Sequence, residues 1–212
     1  MIRILIADDH AVVAEGLKHV IEAQADMRVL AIAGDGREAV RQTGELRPDV
    51  VIMDLSMPEL NGADATRILL EQDPARKVIV LSMYAEHEYV RRALKAGALG
   101  YVVKRSAAKD VVEAIRAVHA GQRYISPLVA SAVAEEGGRG DQDDRLARLS
   151  TREREVLQLL AEGCTGTEIA QRLSLSPKTV ETYRARLVEK LGIRDVAGLV
   201  RFAIQRGIIS LD

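Results

Sequence analysis

Ile2-Arg3-Ile4-Leu5-Ile6-Ala7-Asp8-Asp9 and Val50-Val51-Ile52-Met53-Asp54 share one form: a nearly unbroken apolar run that ends on aspartate. Short, continuous runs rich in Val, Ile and Leu mark strands covered on both faces. Working outward, Arg28–Ala33, Val78–Ser82 and Gly100–Val103 repeat the apolar run without the closing aspartate, and Ile2–Ala7 and Val50–Met53 complete a set of five. Between them Ala11–Gln24, Glu38–Leu46, Asp64–Glu71, Glu86–Ala96 and Ala107–Ala120 carry apolar residues at helical spacing. Strands that alternate with helices predict a parallel sheet, and right-handed crossovers make it doubly wound.

In such a sheet the polar residues that follow each run fall at the same edge. Asp8 and Asp9 follow the first strand, Asp54 the third and Lys104 the fifth, while Ser82 closes the fourth. Open α/β sheets gather functional groups outside the carboxyl ends of their strands, so these five are expected in one crevice. Singly, each reads as a turn, cap or surface residue; the joint placement points to a site. Three neighbouring carboxylates need a counter-charge. An oxygen donor set favours a hard cation such as Mg²⁺. Asp54 could then act as a carboxylate nucleophile towards a phosphoryl group, with Lys104 and Ser82 on the phosphate oxygens.

After residue 120 the pattern changes. Glu135–Asp144, Glu-Glu-Gly-Gly-Arg-Gly-Asp-Gln-Asp-Asp, has the look of a solvated linker. Beyond it Ser150–Glu162, Thr167–Leu173, Pro177–Leu191 and Val196–Arg206 read as four helices. The expected organisation is 1–120 as the α/β domain, 121–147 as a linker with a helical lead-in, and 148–212 as an all-α domain. Ser150 with Glu153 forms a capping-box pattern, and Ser176-Pro177 starts the third helix. On that helix Val180, Leu187, Val188 and Leu191 share one face, with Lys178, Glu181, Thr182, Ala185, Arg186 and Glu189 on or near the other. A polar face with few bulky groups suits insertion into a DNA groove. The charge agrees: of the net -1, residues 1–144 carry -5 and 145–212 carry +4.

The composition sets limits. No apolar run approaches the roughly 20 residues of a membrane span, and the start has no secretory pattern, so a cytoplasmic location is expected. The one cysteine, Cys164, excludes an internal disulfide and a cysteine zinc cluster.

Ile6-Ala7-Asp8-Asp9-His10, Val51-Ile52-Met53-Asp54-Leu55-Ser56-Met57-Pro58, Asn61-Gly62, Leu81-Ser82 and Gly97-Ala98-Leu99-Gly100-Tyr101-Val102-Val103-Lys104 closely resemble response-regulator receiver domains over residues 1–120. The resemblance implies a flavodoxin-like sheet in the order 2-1-3-4-5, a topology for which a receiver is a standard example. It also implies Asp54 as phosphoacceptor; Asp8, Asp9, Asp54 and the Ser56 carbonyl around Mg²⁺; Lys104 as phosphate partner; and Ser82 with Tyr101 as switch pair.

Leu149-Ser150-Thr151-Arg152-Glu153-Arg154-Glu155-Val156-Leu157, Glu168-Ile169-Ala170, Thr179-Val180-Glu181-Thr182 and Lys190-Leu191-Gly192-Ile193 resemble the LuxR-type helix-turn-helix. A receiver joined to this module is similar to the NarL/FixJ class of transcriptional regulators. That resemblance implies base reading by Glu181, Thr182 and Ala185, and backbone contacts by Lys178, Thr179, Arg184, Arg186 and Lys190. The implied partners are a sensor histidine kinase, double-stranded promoter DNA, RNA polymerase and a second copy of the chain, on phosphorylation or on DNA. Thr165-Gly166-Thr167 departs from the usual Ser-Asn-Lys, which predicts one fewer phosphate contact and a looser helix entry. Tyr183 stands where histidine is frequent.

Two other functions fit the sequence less well. Phosphatases of the haloacid-dehalogenase type place an Asp-x-Asp after the first strand, which Asp8-Asp9-His10 does not match. A receptor for an apolar signal needs an aromatic-lined pocket, and this chain has no Trp and one Phe.

Overall fold

The structure is a computed structural model, and it describes residues 1–106, 108–130 and 144–209. Ala107 and residues 135–143 of the candidate linker, Gly137–Gly140 among them, lie outside the described residues. The chain divides into two compact units, Met1–Gly138 and Arg139–Asp212.

The first unit is a parallel sheet. Its strands are β1 (Ile2–Ala7), β2 (Met27–Ala33), β3 (Val50–Asp54), β4 (Val78–Ser82), β5 (Gly100–Val103) and β6 (Tyr124–Ile125). Their order is β2-β1-β3-β4-β5-β6. The expected flavodoxin-like order thus holds for the first five strands. The sixth strand corrects the five-strand count: it lies in the stretch read as linker lead-in, and two residues are too few to show periodicity. Its place comes from register against β5, with Gly100 opposite Tyr124 and Tyr101 opposite Ile125.

Helices α1 (Ala11–Glu22), α2 (Gly36–Leu46), α3 (Gly62–Gln72), α4 (His87–Lys95) and α5 (Ala108–His119) follow the first five strands. Successive strand side chains point to opposite faces. Ile4, Ile6, Ile52, Leu81 and Val102 therefore pack with α1 and α5 residues such as Ala14, Ile21, Val112 and Ile115. Leu5, Ala7, Val51 and Met53 face Ala39 of α2 and Ala65 and Leu69 of α3. Val80, Tyr101 and Val103 face Val90 and Ala93 of α4. With both faces covered, the central strands β3 and β4 are buried throughout and read as nearly continuous apolar runs.

The register brings the site together. Ala7 lies opposite Met53, so Asp8 and Asp54 leave adjacent strands at the same level. Asp54 is opposite Leu81 and Ser82 is opposite Val103, which puts Ser82 and Lys104 one residue further along the same edge.

The second unit holds a short 3₁₀ helix (Asp144–Arg148) and helices α6 (Thr151–Ala161), α7 (Gly166–Leu173), α8 (Pro177–Leu191) and α9 (Val196–Gln205). Val156, Leu157, Leu160, Ile169, Val180, Leu187, Leu199 and Phe202 are among the residues of its core. Arg145 and Leu146 belong to this packing, since Leu146 lies on the core and Arg145 Nη1 donates to the Leu191 carbonyl at 2.9 Å. Arg145 and Arg206 also flank the Phe202 ring, at 5.4 and 5.6 Å from its centre.

Candidate functional site

At the carboxyl edge of the sheet, Lys104 Nζ stands 2.8 Å from Asp8 Oδ2 and 2.9 Å from Asp54 Oδ2. Asp8 and Asp54 are 2% and 3% exposed, while Asp9 is exposed. Burial, opposed by the charge of Lys104 and reinforced by that of Asp8, pushes the Asp54 carboxyl up from 3.8 to about 6. Burial pulls Lys104 down, yet Asp54 and Asp8 outweigh it, and the ammonium titrates above its ordinary range. Both groups are thus charged at neutral pH.

The edge could hold a metal ion. Asp8, Asp9, His10 and Asp54 each offer a ligand atom, and these atoms lie within 4.8 Å of one another. Asp8 Oδ2 is buried and faces the Lys104 ammonium at 2.8 Å, so in the absence of an ion Lys104 supplies the counter-charge. These oxygen donors fit a hard divalent ion. His10 is an addition to the expected set: its N–H donates to Asp8 Oδ1 at 2.9 Å, and its Nδ1 lies 2.9 Å from Asp9 Oδ1. It was legible only as the residue after two aspartates. Ser56 sits half-buried in the loop after β3.

Ser82 and Tyr101 are both buried. Ser82 Oγ accepts from the Tyr84 N–H at 3.2 Å, and Tyr101 Oη donates to the Tyr84 carbonyl at 2.8 Å. Burial raises the Tyr101 phenol, with Ser82 acting against it. Tyr84 in turn stacks on Tyr89 of α4, ring centres 4.3 Å apart. Tyr84 went unread in the sequence because its main-chain groups, common to every residue type, make both hydrogen bonds.

In the second unit Ser150 and Glu153 form the expected capping box, and Ser176 caps α8 with Pro177 in its first turn. The expectation of a loose entry to α7 is corrected. Thr165 and Glu168 also make a capping box, in which the Thr165 N–H donates to Glu168 Oε2 at 2.7 Å. This reciprocal pair closes the turn despite Gly166.

On α8, Lys178, Glu181, Thr182, Ala185 and Arg186 are exposed, and Thr179, Arg184 and Lys190 are half-buried. Arg184 Nη1 donates to Glu181 Oε1 at 3.0 Å. Thr182 Oγ1 donates to the Lys178 carbonyl at 3.0 Å. The Arg186 guanidinium lies 5.8 Å from the Tyr183 ring centre. Lys190 differs from these, since its ammonium donates to Oε2 of the buried Glu153 at 2.7 Å and so ties α8 to α6.

Comparison with known proteins agrees with this geometry. A family model for the response regulator receiver domain matches residues 4–116, and one for bacterial regulatory proteins of the luxR family matches residues 147–203. The chain belongs to the NarL/FixJ class of response regulators. This response regulator is 38% identical over 211 residues to the response regulator GacA of Pseudomonas aeruginosa, covering 99% of each chain. Among solved structures it is similar to a LuxR-family two-component response regulator from Aurantimonas, with TM-score 0.64 and 39% identity over 66% of this chain and 99% of that one. It is also similar to the response regulator RcsB in its DNA complex, with TM-score 0.59 and 28% identity over 95% and 96% of the two chains. It is a receiver joined to a LuxR-type DNA-binding domain and acts in transcription regulation. Among the described residues no helix is long and apolar enough to cross a membrane.

Proposed function

We propose that a sensor histidine kinase phosphorylates Asp54 in a Mg²⁺-dependent reaction, and that this controls promoter binding by α8. The observation that carries the proposal is Lys104 Nζ poised between Asp8 and Asp54, at 2.8 and 2.9 Å. Asp8, Asp9, Asp54 and the Ser56 carbonyl would hold Mg²⁺. When bound, the ion supplies charge neutralisation for the incoming phosphoryl oxygens.

Ionised Asp54 attacks phosphorus, the bond to the donor breaks, and an aspartyl phosphate remains. Lys104 moves from carboxylate to phosphate, a charge-assisted contact. The hydroxyl of Ser82 turns to the new phosphate and gives up the Tyr84 N–H. The Tyr84 peptide then shifts, frees Tyr101 to swing, and alters the α4–β5 surface. Slow loss of the phosphoryl group to water resets the chain, and no other turnover is expected of it.

In DNA, Glu181, Thr182 and Ala185 face the bases, with the Thr182 and Ala185 methyls suited to thymine and Glu181 to cytosine N4. Lys178, Thr179, Arg184 and Arg186 serve the phosphate backbone. Lys190 has one donor spent on Glu153 and acts first to hold α8 in place. A single module reads little DNA, so a homodimer on two half-sites is the working form. RNA polymerase is the downstream partner, and the cytoplasm is the location of all these steps.

The test is intact mass before and after acetyl phosphate with Mg²⁺, followed by DNA selection on both samples. A single phosphoryl gain, abolished by Asp54→Asn and accompanied by tighter DNA binding, is expected. A gain that survives Asp54→Asn at similar yield overturns the assignment.

A further inference from the structure

Between α3 and α4 lies a buried polar cluster that takes no part in the chemistry described above. Asn61 is fully buried and caps α3, its Oδ1 accepting from the Asp64 N–H at 3.0 Å. Its Nδ2 donates to Asp64 Oδ2 at 2.9 Å. Arg92 reaches across from α4: its Nη2 donates to Asn61 Oδ1 at 2.6 Å and lies 3.8 Å from Asp64 Oδ2. Arg67 Nη2 donates to the other oxygen, Asp64 Oδ1, at 2.9 Å. The side chains of Arg92 and Asp64 are 9% and 2% exposed. Charges withdrawn from water this far are costly without their partners, so losing one partner destabilises the rest of the cluster.

The other end of the cluster rests on the phosphoacceptor strand. The Gly62 N–H donates to the Leu55 carbonyl at 3.0 Å. A Cβ at Gly62 would stand 1.9 Å from the Asp54 carbonyl oxygen, so glycine is required for this approach. Asn61 therefore cannot shift without moving the backbone that carries Asp54. One turn before Arg92 and on the same face of α4, Tyr89 stacks on Tyr84. Helix α4 is thus gripped twice: through Tyr84, which senses Ser82, and through Arg92, which senses the loop after Asp54.

We infer that Arg92 is a positioning residue that transmits movement of the Asp54–Asn61 loop to α4 through Asn61 and Asp64, in parallel with the Ser82–Tyr84–Tyr101 route. This two-point coupling rests on Asp54 as the phosphorylation site for its trigger, but the latch itself exists in the resting protein.

Hydrogen exchange on the full-length chain tests it, comparing wild type with Arg92→Met and Arg92→Lys, before and after acetyl phosphate with Mg²⁺. In the resting state Arg92→Met should raise exchange about tenfold or more in both residues 87–95 and residues 55–62, and Arg92→Lys should restore part of the protection. After phosphorylation wild type should change in both segments, whereas Arg92→Met should change in 55–62 with a blunted response in 87–95. Resting exchange in 55–62 that ignores Arg92→Met overturns the latch, as does an undiminished response in 87–95. Failure of wild type to gain phosphate at Asp54 sinks the phosphoacceptor assignment instead, and the resting comparison still decides the latch. If Arg92→Met does not fold, Asp64→Asn keeps the shape, removes the charge and must show the same paired rise in exchange.

Discussion

Tyr101 Oη and Ser82 Oγ are joined through the backbone of a single residue: the Tyr84 carbonyl accepts from the first at 2.8 Å and the Tyr84 N–H donates to the second at 3.2 Å. The two proposed switch residues thus hold one stretch of backbone together, directly ahead of α4. In the resting arrangement both bonds are made, so the phenol is locked inward as part of the core rather than left to sample two positions.

Tyr101→Phe removes the lock and leaves the Tyr84 carbonyl without this donor. Urea unfolding should show a loss of about 1 kcal/mol, together with a weakened difference between resting and phosphorylated DNA binding. Full stability with an unchanged phosphorylation response would refute the lock.

Burial of Asp54 makes its ionisation costly to the fold. Its pKa of about 6, against 3.8 unperturbed, means the contribution of this group is complete below about pH 4 and lost as pH rises through about 6. The loss amounts to about 3 kcal/mol at neutral pH. Asp54→Asn should therefore be more stable than wild type at about pH 7 by up to that amount, with the gap closing by about pH 4. Thermal unfolding across pH checks this, and equal stability at neutral pH would count against it. Mg²⁺ should narrow the gap, because it stabilises the ionised form.

Asp9 is the exposed member of the acidic trio, so it can be changed without opening the core. Asp9→Ala should leave the unfolding free energy within about 0.5 kcal/mol of wild type while lowering Mg²⁺ affinity and slowing phosphorylation from acetyl phosphate. Calorimetric titration with Mg²⁺ measures the first effect, and unchanged affinity removes Asp9 from the ligand set.

Two cations of α8 should separate cleanly. Lys190→Met takes the ammonium from the buried Glu153 carboxylate, which keeps the Ser150 N–H, a cost of about 2 kcal/mol to the second unit. Arg186→Ala touches nothing buried and should leave stability intact while weakening binding to all sequences and reducing the salt dependence. Glu181 and Thr182 substitutions should instead change which sequences are preferred. Urea unfolding and binding at several salt concentrations decide; loss of sequence preference on Arg186→Ala alone would reverse the roles.

The strands, their edge of polar residues and the helix caps were legible in the chain, because each depends on local periodicity or on a side chain meeting its own backbone a few residues away. Ile2–Ala7 and Val50–Asp54 announce buried parallel strands, and parallel pairing sends Asp8, Asp54 and Lys104 to one edge whatever the details. The Ser150–Glu153 box follows from spacing alone. What only the tertiary structure decided depends on residues distant in sequence and on groups that carry no side-chain signature. The strand at Tyr124–Ile125 exists through its register with β5. Tyr84 acts through its peptide, Lys190 meets Glu153 across a helix pair, and Arg92 finds Asn61 only because α3 and α4 pack side by side. Such contacts form when burial strips water from a charge and leaves one partner within reach, and that partner is set by packing rather than by order along the chain.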